Sequence, residues 1–238
     1  MGDDSTGGHF GDQLAAAVAR LASPVVVGLD PRKDSLPKGL LPDSWDDETE
    51  AIAQAYQLFC FGVIDVIADH VPAVKPQVAF FEQLGPAGMR VLLRVIDYAR
   101  DKGLLVIIDG KRNDIGSTAE AYAQAHLGGV GSAWHGDALT VSPYLGDDSL
   151  EPFTRVATER GAGIFVLVKT SNPGGGLWQD LVSDGAPLYV HVARHVQSLA
   201  KSTVGDKGFG AVGAVAGATY PEQLSELREV MPNAWFLV

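Results

Sequence analysis

The stretch LLVIIDGKRNDIGST, residues 104–118, runs from a continuous apolar segment into a dense group of charges. Its first five residues, LLVII, have the composition of a strand that is buried on both faces. Asp109, Lys111 and Asp114 follow within six positions. A surface loop can carry such charges at little cost, so the other strand ends must decide between simple solvent exposure and a functional site.

Six further apolar runs of the same kind are spread along the chain. Few of them alternate with polar residues, and amphipathic stretches such as residues 47–70 and 86–103 lie between them. Strands that alternate with helices predict βαβ units around a parallel sheet. The runs are PVVVGLD (24–30), AVKPQVAFF (73–81), DALTVSP (137–143), GIFVLVKTS (163–171), GAVGAVAG (210–217) and WFLV (235–238).

The regular repeat of strand and helix predicts one α/β domain over residues 1–238, because no change of composition marks a linker. A doubly wound open sheet and a TIM (β/α)8 barrel, which has about 250 residues, both fit this pattern. No G-x-G-x-x-G follows the first apolar run, so the barrel is favoured. The seventh run ends at Val238, so the last strand and helix of the barrel are expected beyond it.

Composition excludes several classes of function. The net charge of −11 argues against a nucleic-acid-binding surface, which needs a basic face. No uninterrupted apolar run has the length of a membrane span, and the start MGDDSTGGHF lacks the basic and apolar regions of a signal peptide. Cys60 is the only cysteine and is interpreted as core filler. A cytoplasmic protein without a membrane partner is therefore expected.

The charged residues gather where the predicted strands end. Asp30 closes the first run, Lys75 lies inside the second, Asp109 and Lys111 close the third, and Lys169 lies near the end of the fifth. In both α/β architectures the chemistry occurs at the carboxyl ends of the strands. The pattern therefore predicts a site at that end of the sheet.

Lys111 is predicted to be a proton donor. On an extended backbone it points to the same side as Asp109, two residues before it. Ser117 and Glu120 have the spacing of a capping box for the next helix, which would release Asp114 from capping. An ammonium beside two carboxylates keeps its charge. Such a lysine suits proton donation and poorly suits general-base or Schiff-base chemistry.

The pattern Asp109-x-Lys111-x-x-Asp114, followed by Thr118, resembles the signature of the orotidine 5′-phosphate decarboxylase family. The segment GLD, ending in Asp30, and the segment VKP at residues 74–76 fall at matching strand ends. KTSNPGG at residues 169–175 resembles the family's segment over the pyrimidine, and GATYPEQL at residues 217–224 resembles a subgroup of longer bacterial chains.

The resemblance implies a TIM-barrel homodimer that converts orotidine 5′-phosphate to uridine 5′-phosphate (UMP) and CO2 in the last step of de novo UMP synthesis. It implies no metal and no organic cofactor. Lys111 would donate a proton to C6 of the pyrimidine, and Asp109 would crowd the departing carboxylate.

The resemblance also implies roles for the remaining site residues. Asp114 would help to hold the charged array and, with Thr118, would reach into the partner's active site. Asp30 and Lys75 would bind the ribose, and Ser171 would contact the pyrimidine. The family's phosphate-binding residues are expected beyond the end of this chain.

Three other readings remain open. A Mg²⁺-dependent sugar-phosphate decarboxylase or epimerase with the same motif would need a metal-binding carboxylate, for which Glu82 is the nearby candidate besides Asp109. An aldolase would use Lys169 in a Schiff base, and a non-catalytic nucleotide-binding barrel would bind without turnover. His191 and His195 have metal-ligand spacing but lack a third ligand, so they are interpreted as ordinary helix residues.

Overall fold

Seven parallel strands form the central sheet of a computed structural model, which describes residues 8–42, 44, 46–219 and 221–238. The strands are β1 (Val26–Leu29), β2 (Ala73–Pro76), β3 (Leu105–Arg112), β4 (Ala138–Val141), β5 (Gly163–Lys169), β8 (Val212–Ala216) and β9 (Phe236–Leu237), and a small hairpin of β6 (Val182–Ser183) and β7 (Ala186–Pro187) precedes β8. The seven predicted strands are confirmed. The acidic start of the chain and Tyr220 of GATYPEQL lie outside the described residues.

Nine α-helices accompany these strands in the described part of the chain. The predicted helices at residues 47–70 and 86–103 are confirmed, with ends within a few residues. The helices are α1 (Phe10–Leu21), α2 (Glu48–Ile67), α3 (Val78–Glu82), α4 (Gly85–Asp101), α5 (Gly116–His126), α6 (Glu151–Glu159), α7 (Gly176–Gln179), α8 (Leu188–Ser202) and α9 (Pro221–Val230).

The second predicted strand is shorter than its apolar run. The run predicts one strand over residues 73–81, but β2 ends at Pro76 and α3 begins at Val78. The side chain of Gln77 accepts a hydrogen bond from the backbone N–H of Ala79 and so caps α3. The apolar residues beyond Pro76 therefore belong to a short helix that packs on α4.

The sheet is curled, as a TIM-barrel-like α/β fold requires. Inward-facing residues of β2, β3, β4, β5 and β9 share one buried cluster with Phe10 and Leu14 of α1. β2 and β9 lie near opposite ends of the strand order, so only a curled sheet brings them to the same cluster. The inward residues are Ala73, Ile107, Ala138, Phe165 and Leu237.

The larger core lies outside the sheet, between the strands and the helices. Within the described residues β1 pairs only with β2, and β9 pairs only with β8. The single-domain extent and the further strand and helix expected beyond Val238 stay predictions.

Among the described helices, α2 alone is long and apolar enough to cross a membrane by length and composition. Core helices meet the same criterion, and one side of α2 is buried, with Tyr56, Cys60 and Ile64 in the outer core against α4. Burial raises the pKa of the Cys60 thiol to about 12. The apolar character of this side of α2 is therefore explained by packing.

Gly163 is predicted to be a packing requirement of the inner core. A Cβ at this position would lie 2.2 Å from Cδ1 of Phe10, whose ring packs edge-on against Phe165. Gly163→Ala must displace this ring, so we expect a loss of about 1–3 kcal/mol in the free energy of unfolding, measured by urea denaturation.

Gly62 is the matched control, because it lies within α2 and a Cβ there would meet no atom within 4 Å. Gly62→Ala should stabilise the protein by about 0.5–1 kcal/mol through helix propensity. Equal effects of the two substitutions would contradict the packing account.

Candidate active site

Polar side chains form a layer directly above the inner core, at the carboxyl ends of β2, β3 and β4. Lys75, Asp109 and Thr140 each lie two residues beyond an inner-core residue of the same strand. Because side chains alternate between the two faces of a strand, all three face the inside of the curled sheet. Strand alternation therefore assembles the site.

Asp109 is the centre of this layer. Its carboxylate is buried, with 6% of the residue exposed, and accepts four hydrogen bonds. Lys75 Nζ and Gln77 Nε2 donate to Oδ2 over 2.8 and 2.9 Å. Lys111 Nζ and Thr140 Oγ1 donate to Oδ1 over 2.5 and 2.9 Å. Two of the four donors are cations, so the buried negative charge is both paired and solvated by protein groups.

These contacts determine the ionisation of Asp109. Burial acts to raise the pKa of its carboxyl, but the hydrogen bonds from Lys111 and Lys75 outweigh burial and hold that pKa below the ordinary aspartate value. The group is therefore a carboxylate throughout the neutral pH range.

The backbone at Lys111 is bulged rather than regularly extended. Its φ is 43°, in the left-handed region, and the register of β3 against β4 shifts between Ile108 and Arg112. A non-glycine residue in this region costs about 1–3 kcal/mol and needs support from its surroundings. Lys111 and Asp109 meet as the sequence predicts, but the simple alternation used to predict their meeting does not hold here.

Only one of the two carboxylates predicted beside Lys111 contacts it. Within the described residues the Asp114 carboxylate makes no ion pair, and its Oδ1 accepts the backbone N–H of Ile115 over 2.8 Å. The side chain of Lys111 is 46% exposed, so its ammonium lies at the open mouth of the site, bonded to Asp109.

The capping box predicted for α5 is wrong. The helix begins at Gly116, one residue before Ser117, and Ile115 is its N-cap without a side-chain cap. Glu120 instead pairs with Arg155 of α6, against which α5 packs. The Glu120 carboxylate therefore forms an ion pair with another helix instead of the capping hydrogen bond that the local pattern predicts.

The remaining predicted site residues lie at the same end of the sheet but outside this hydrogen-bond network. Asp30 directly follows β1, Ser171 follows β5, and Thr118 lies in the first turn of α5, all exposed. Gly217 packs so closely on Ser171 that a Cβ would lie 2.9 Å from its Cβ. Among the described residues, no hydrogen bond joins any of the three to Asp109.

Sequence reasoning missed two donors to the central carboxylate. The run 73–81 predicts that Gln77 belongs to a strand, and Thr140 is one residue of another apolar run. The alternation of side chains along a strand is the signal that could have found Thr140. It lies two residues after the inward-facing Ala138 and so must face the same interior.

Known proteins resemble this chain over most of its length. The family model described as "Orotidine 5'-phosphate decarboxylase / HUMPS family" matches residues 23–238. The chain belongs to this family. A protein of Rhodopirellula baltica named orotidine 5′-phosphate decarboxylase is 58% identical over 232 residues, which cover 96% of this chain and 77% of that protein.

Solved structures show the same likeness. The structure of Leishmania donovani OMP decarboxylase is 34% identical, with a TM-score of 0.77, and the match covers 97% of this chain and 79% of that one. A protein of Deinococcus radiodurans named orotidine 5′-phosphate decarboxylase is 44% identical over 214 residues, covering 89% of this chain and 70% of its own length.

Glu82 is the metal-binding candidate of the Mg²⁺-dependent hypothesis. In this member of the decarboxylase family it forms an ion pair with an arginine. Its Oε1 accepts a hydrogen bond from Arg112 Nη2 over 2.7 Å. Arg112 is itself mostly covered, with 20% of its side chain exposed. Glu82 therefore joins α3 to β3, and no group of three or more metal-binding side chains occurs in the described residues.

Lys169, the Schiff-base candidate, is a buried cation outside the Asp109 network. It is 3% exposed, and its Nζ contacts Asp180 Oδ1 at 2.5 Å and lies 5.2 Å from the centre of the Tyr189 ring. Gln179, next to Asp180, bonds both the backbone N–H and the hydroxyl of Thr170. These contacts hold the start of segment 169–175 against residues 179–180, which lie further along the same loop.

Asp180→Asn is expected to destabilise the protein by about 1–3 kcal/mol, because it leaves the buried Lys169 ammonium without a charged partner. Asp148→Asn is the control, since Asp148 is exposed and makes no ion pair in the described chain; it should change the free energy of unfolding by less than about 0.5 kcal/mol. Urea denaturation of both variants measures the difference. Equal stability of the two variants would show that Lys169 does not depend on Asp180.

Proposed function

We propose that this chain decarboxylates orotidine 5′-phosphate to UMP and CO2, as the last step of de novo UMP synthesis, without a metal or an organic cofactor. The observation that carries the proposal is the buried Asp109 carboxylate bound by two lysines at the mouth of a decarboxylase-family barrel. The site presents a fixed negative charge and a fixed ammonium side by side.

Lys111 is the proposed proton donor. Loss of CO2 leaves a carbanion in the plane of the pyrimidine, where the ring's π system delocalises it poorly. A fixed ammonium about 4 Å away contributes about 4 kcal/mol at an effective dielectric near 20. The same ammonium then supplies the proton that C6 takes up.

Asp109 is proposed to act on the carboxylate that leaves. It is ionised and held on both oxygens, so it cannot turn away when a second negative charge is bound beside it. Repulsion between the two carboxylates disfavours the bound substrate and is relieved as CO2 departs. Lys75 balances part of this charge from the opposite side of Asp109.

Substrate binding is assigned to the surrounding strand ends. Asp30 and Lys75 are proposed to bind the ribose, because β1 and β2 are adjacent and Asp30 is exposed at their carboxyl end. Ser171 is proposed to contact the pyrimidine from the end of β5. The ammonium supplies a minor part of the ~8–23 kcal/mol typical of enzymes, so binding of remote parts of the substrate must supply the rest.

A homodimer with shared active sites completes the proposal. Asp114 makes no ion pair within the described chain, Ile115 beside it is 56% exposed, and Thr118 is exposed on the next turn. An exposed apolar residue between two polar ones suits a surface that a second copy covers. We propose that Asp114 and Thr118 reach the Lys111 site of the partner, and that the enzyme is cytoplasmic.

Lys111→Ala should reduce turnover of orotidine 5′-phosphate by about 10³-fold or more, as the loss of about 4 kcal/mol implies. The decrease in absorbance on conversion of substrate to product measures it. Lys201→Ala removes an exposed lysine of α8 and should leave turnover unchanged. Turnover that persists in Lys111→Ala, or that EDTA abolishes in the unsubstituted enzyme, would contradict the proposal.

Mixing two inactive variants tests the shared site. In a hybrid of Lys111→Ala and Asp114→Asn chains, one site carries both substitutions and the other carries none. A one-to-one mixture, unfolded and refolded together, should therefore regain about a quarter of normal activity if half of the dimers are hybrids. No recovery from folded, dimeric mixtures would show that Asp114 serves the site of its own chain.

A further inference from the structure

Thr140 is a polar residue in the middle of the buried strand β4. It is 1% exposed, and its neighbours Leu139 and Val141 are fully buried. Its hydroxyl makes two hydrogen bonds, both to β3. Oγ1 accepts the backbone N–H of Lys111 over 2.9 Å and donates to Oδ1 of Asp109 over 2.9 Å.

These two bonds close a ring with the ion pair. The Lys111 backbone binds the hydroxyl, the hydroxyl binds Asp109 Oδ1, and the same oxygen binds the Lys111 ammonium over 2.5 Å. Lys111 is thus held at both its backbone and its side-chain end. Its left-handed φ of 43° needs such support, because the conformation is intrinsically unfavourable.

We propose that Thr140 is a positioning residue, whose hydroxyl holds the Lys111 bulge and the Asp109 carboxylate in the geometry that the reaction needs. The inference rests on the proposed decarboxylase function and adds a residue to it. Thr140 acts through Lys111 and Asp109, not by touching the substrate.

Removal of the hydroxyl has two physical consequences. Oδ1 of Asp109 loses one of its two donors, and the backbone N–H of Lys111 loses its acceptor. Without the hydrogen bond to its N–H, the bulged backbone at Lys111 is less stable. It can then relax toward an extended conformation and move the ammonium. A shift of about 1 Å in a reacting group lowers the rate by as much as 10²-fold.

Thr140→Val is the central variant, because it keeps the shape of the side chain and replaces the hydroxyl by a methyl group that makes no hydrogen bond. We expect kcat for orotidine 5′-phosphate to fall by about 10–100-fold with a smaller change in KM, whereas Thr140→Ser, which keeps the hydroxyl, should stay within about threefold of normal. If the valine variant does not fold, Thr140→Ala takes its place.

Thr203→Val is the matched control. Like the Thr140 hydroxyl, the Thr203 hydroxyl donates to one oxygen and accepts one backbone N–H. Its partners are Leu199 O and Ala211 N, and it lies before β8 begins, at the other end of the sheet. This variant should lose stability and retain kcat. A Thr140→Val enzyme that keeps kcat as Thr203→Val does would overturn the inference.

Hydrogen exchange of the Lys111 amide gives a readout that does not depend on turnover. The amide should exchange about tenfold faster in Thr140→Val than in the unsubstituted and Thr140→Ser proteins, because its acceptor is gone. Unchanged protection would overturn the inference. An unsubstituted enzyme that does not release CO2 would overturn the proposed function, and this inference with it, whereas an active enzyme that is indifferent to Thr140 would overturn the inference alone.

Discussion

A buried carboxylate must be paired and hydrogen-bonded, and the Asp109 carboxylate meets this constraint with four donors. Lys75 and Gln77 hold one oxygen, and Lys111 and Thr140 hold the other. The donors come from β2 and its end, from β3 and from β4. None can move without leaving a buried charge less well solvated. The position of the Lys111 ammonium is therefore tied to the packing of three strands.

The fold supports this cluster with two stacked layers. The lower layer is apolar and is closed by Phe10 of α1, whose ring occupies the space that the missing side chain of Gly163 leaves. The upper layer is polar and begins two residues further along the strands. A rigid apolar layer beneath a charged one limits the rearrangement of the donors when a substrate binds. The charged group is thereby pre-organised, as electrostatic catalysis requires.

Local patterns in the sequence predicted the strands, and the placement of charges at strand ends predicted that Lys75, Asp109 and Lys111 would meet. Features that depend on contacts between distant segments were not predictable in the same way. The hydroxyl of Thr140 reaches its two partners on β3 only because of the register of β4 against β3. The local pattern predicts a helix-capping role for Glu120, because nothing near it in the sequence reveals the ion pair with Arg155. The left-handed backbone of Lys111 likewise follows from a bulge that is visible only in the paired strands.

The ionisation of Asp109 tests the central claim most directly. A ¹³C NMR titration of its side-chain carboxyl, assigned with Asp109→Asn, measures its pKa in the folded enzyme. Burial acts to raise this pKa, but the two lysine donors predict a value below that of an ordinary aspartate. A pKa at or above the ordinary aspartate value would mean that desolvation dominates. The carboxylate would then not be the fixed charge on which the account depends.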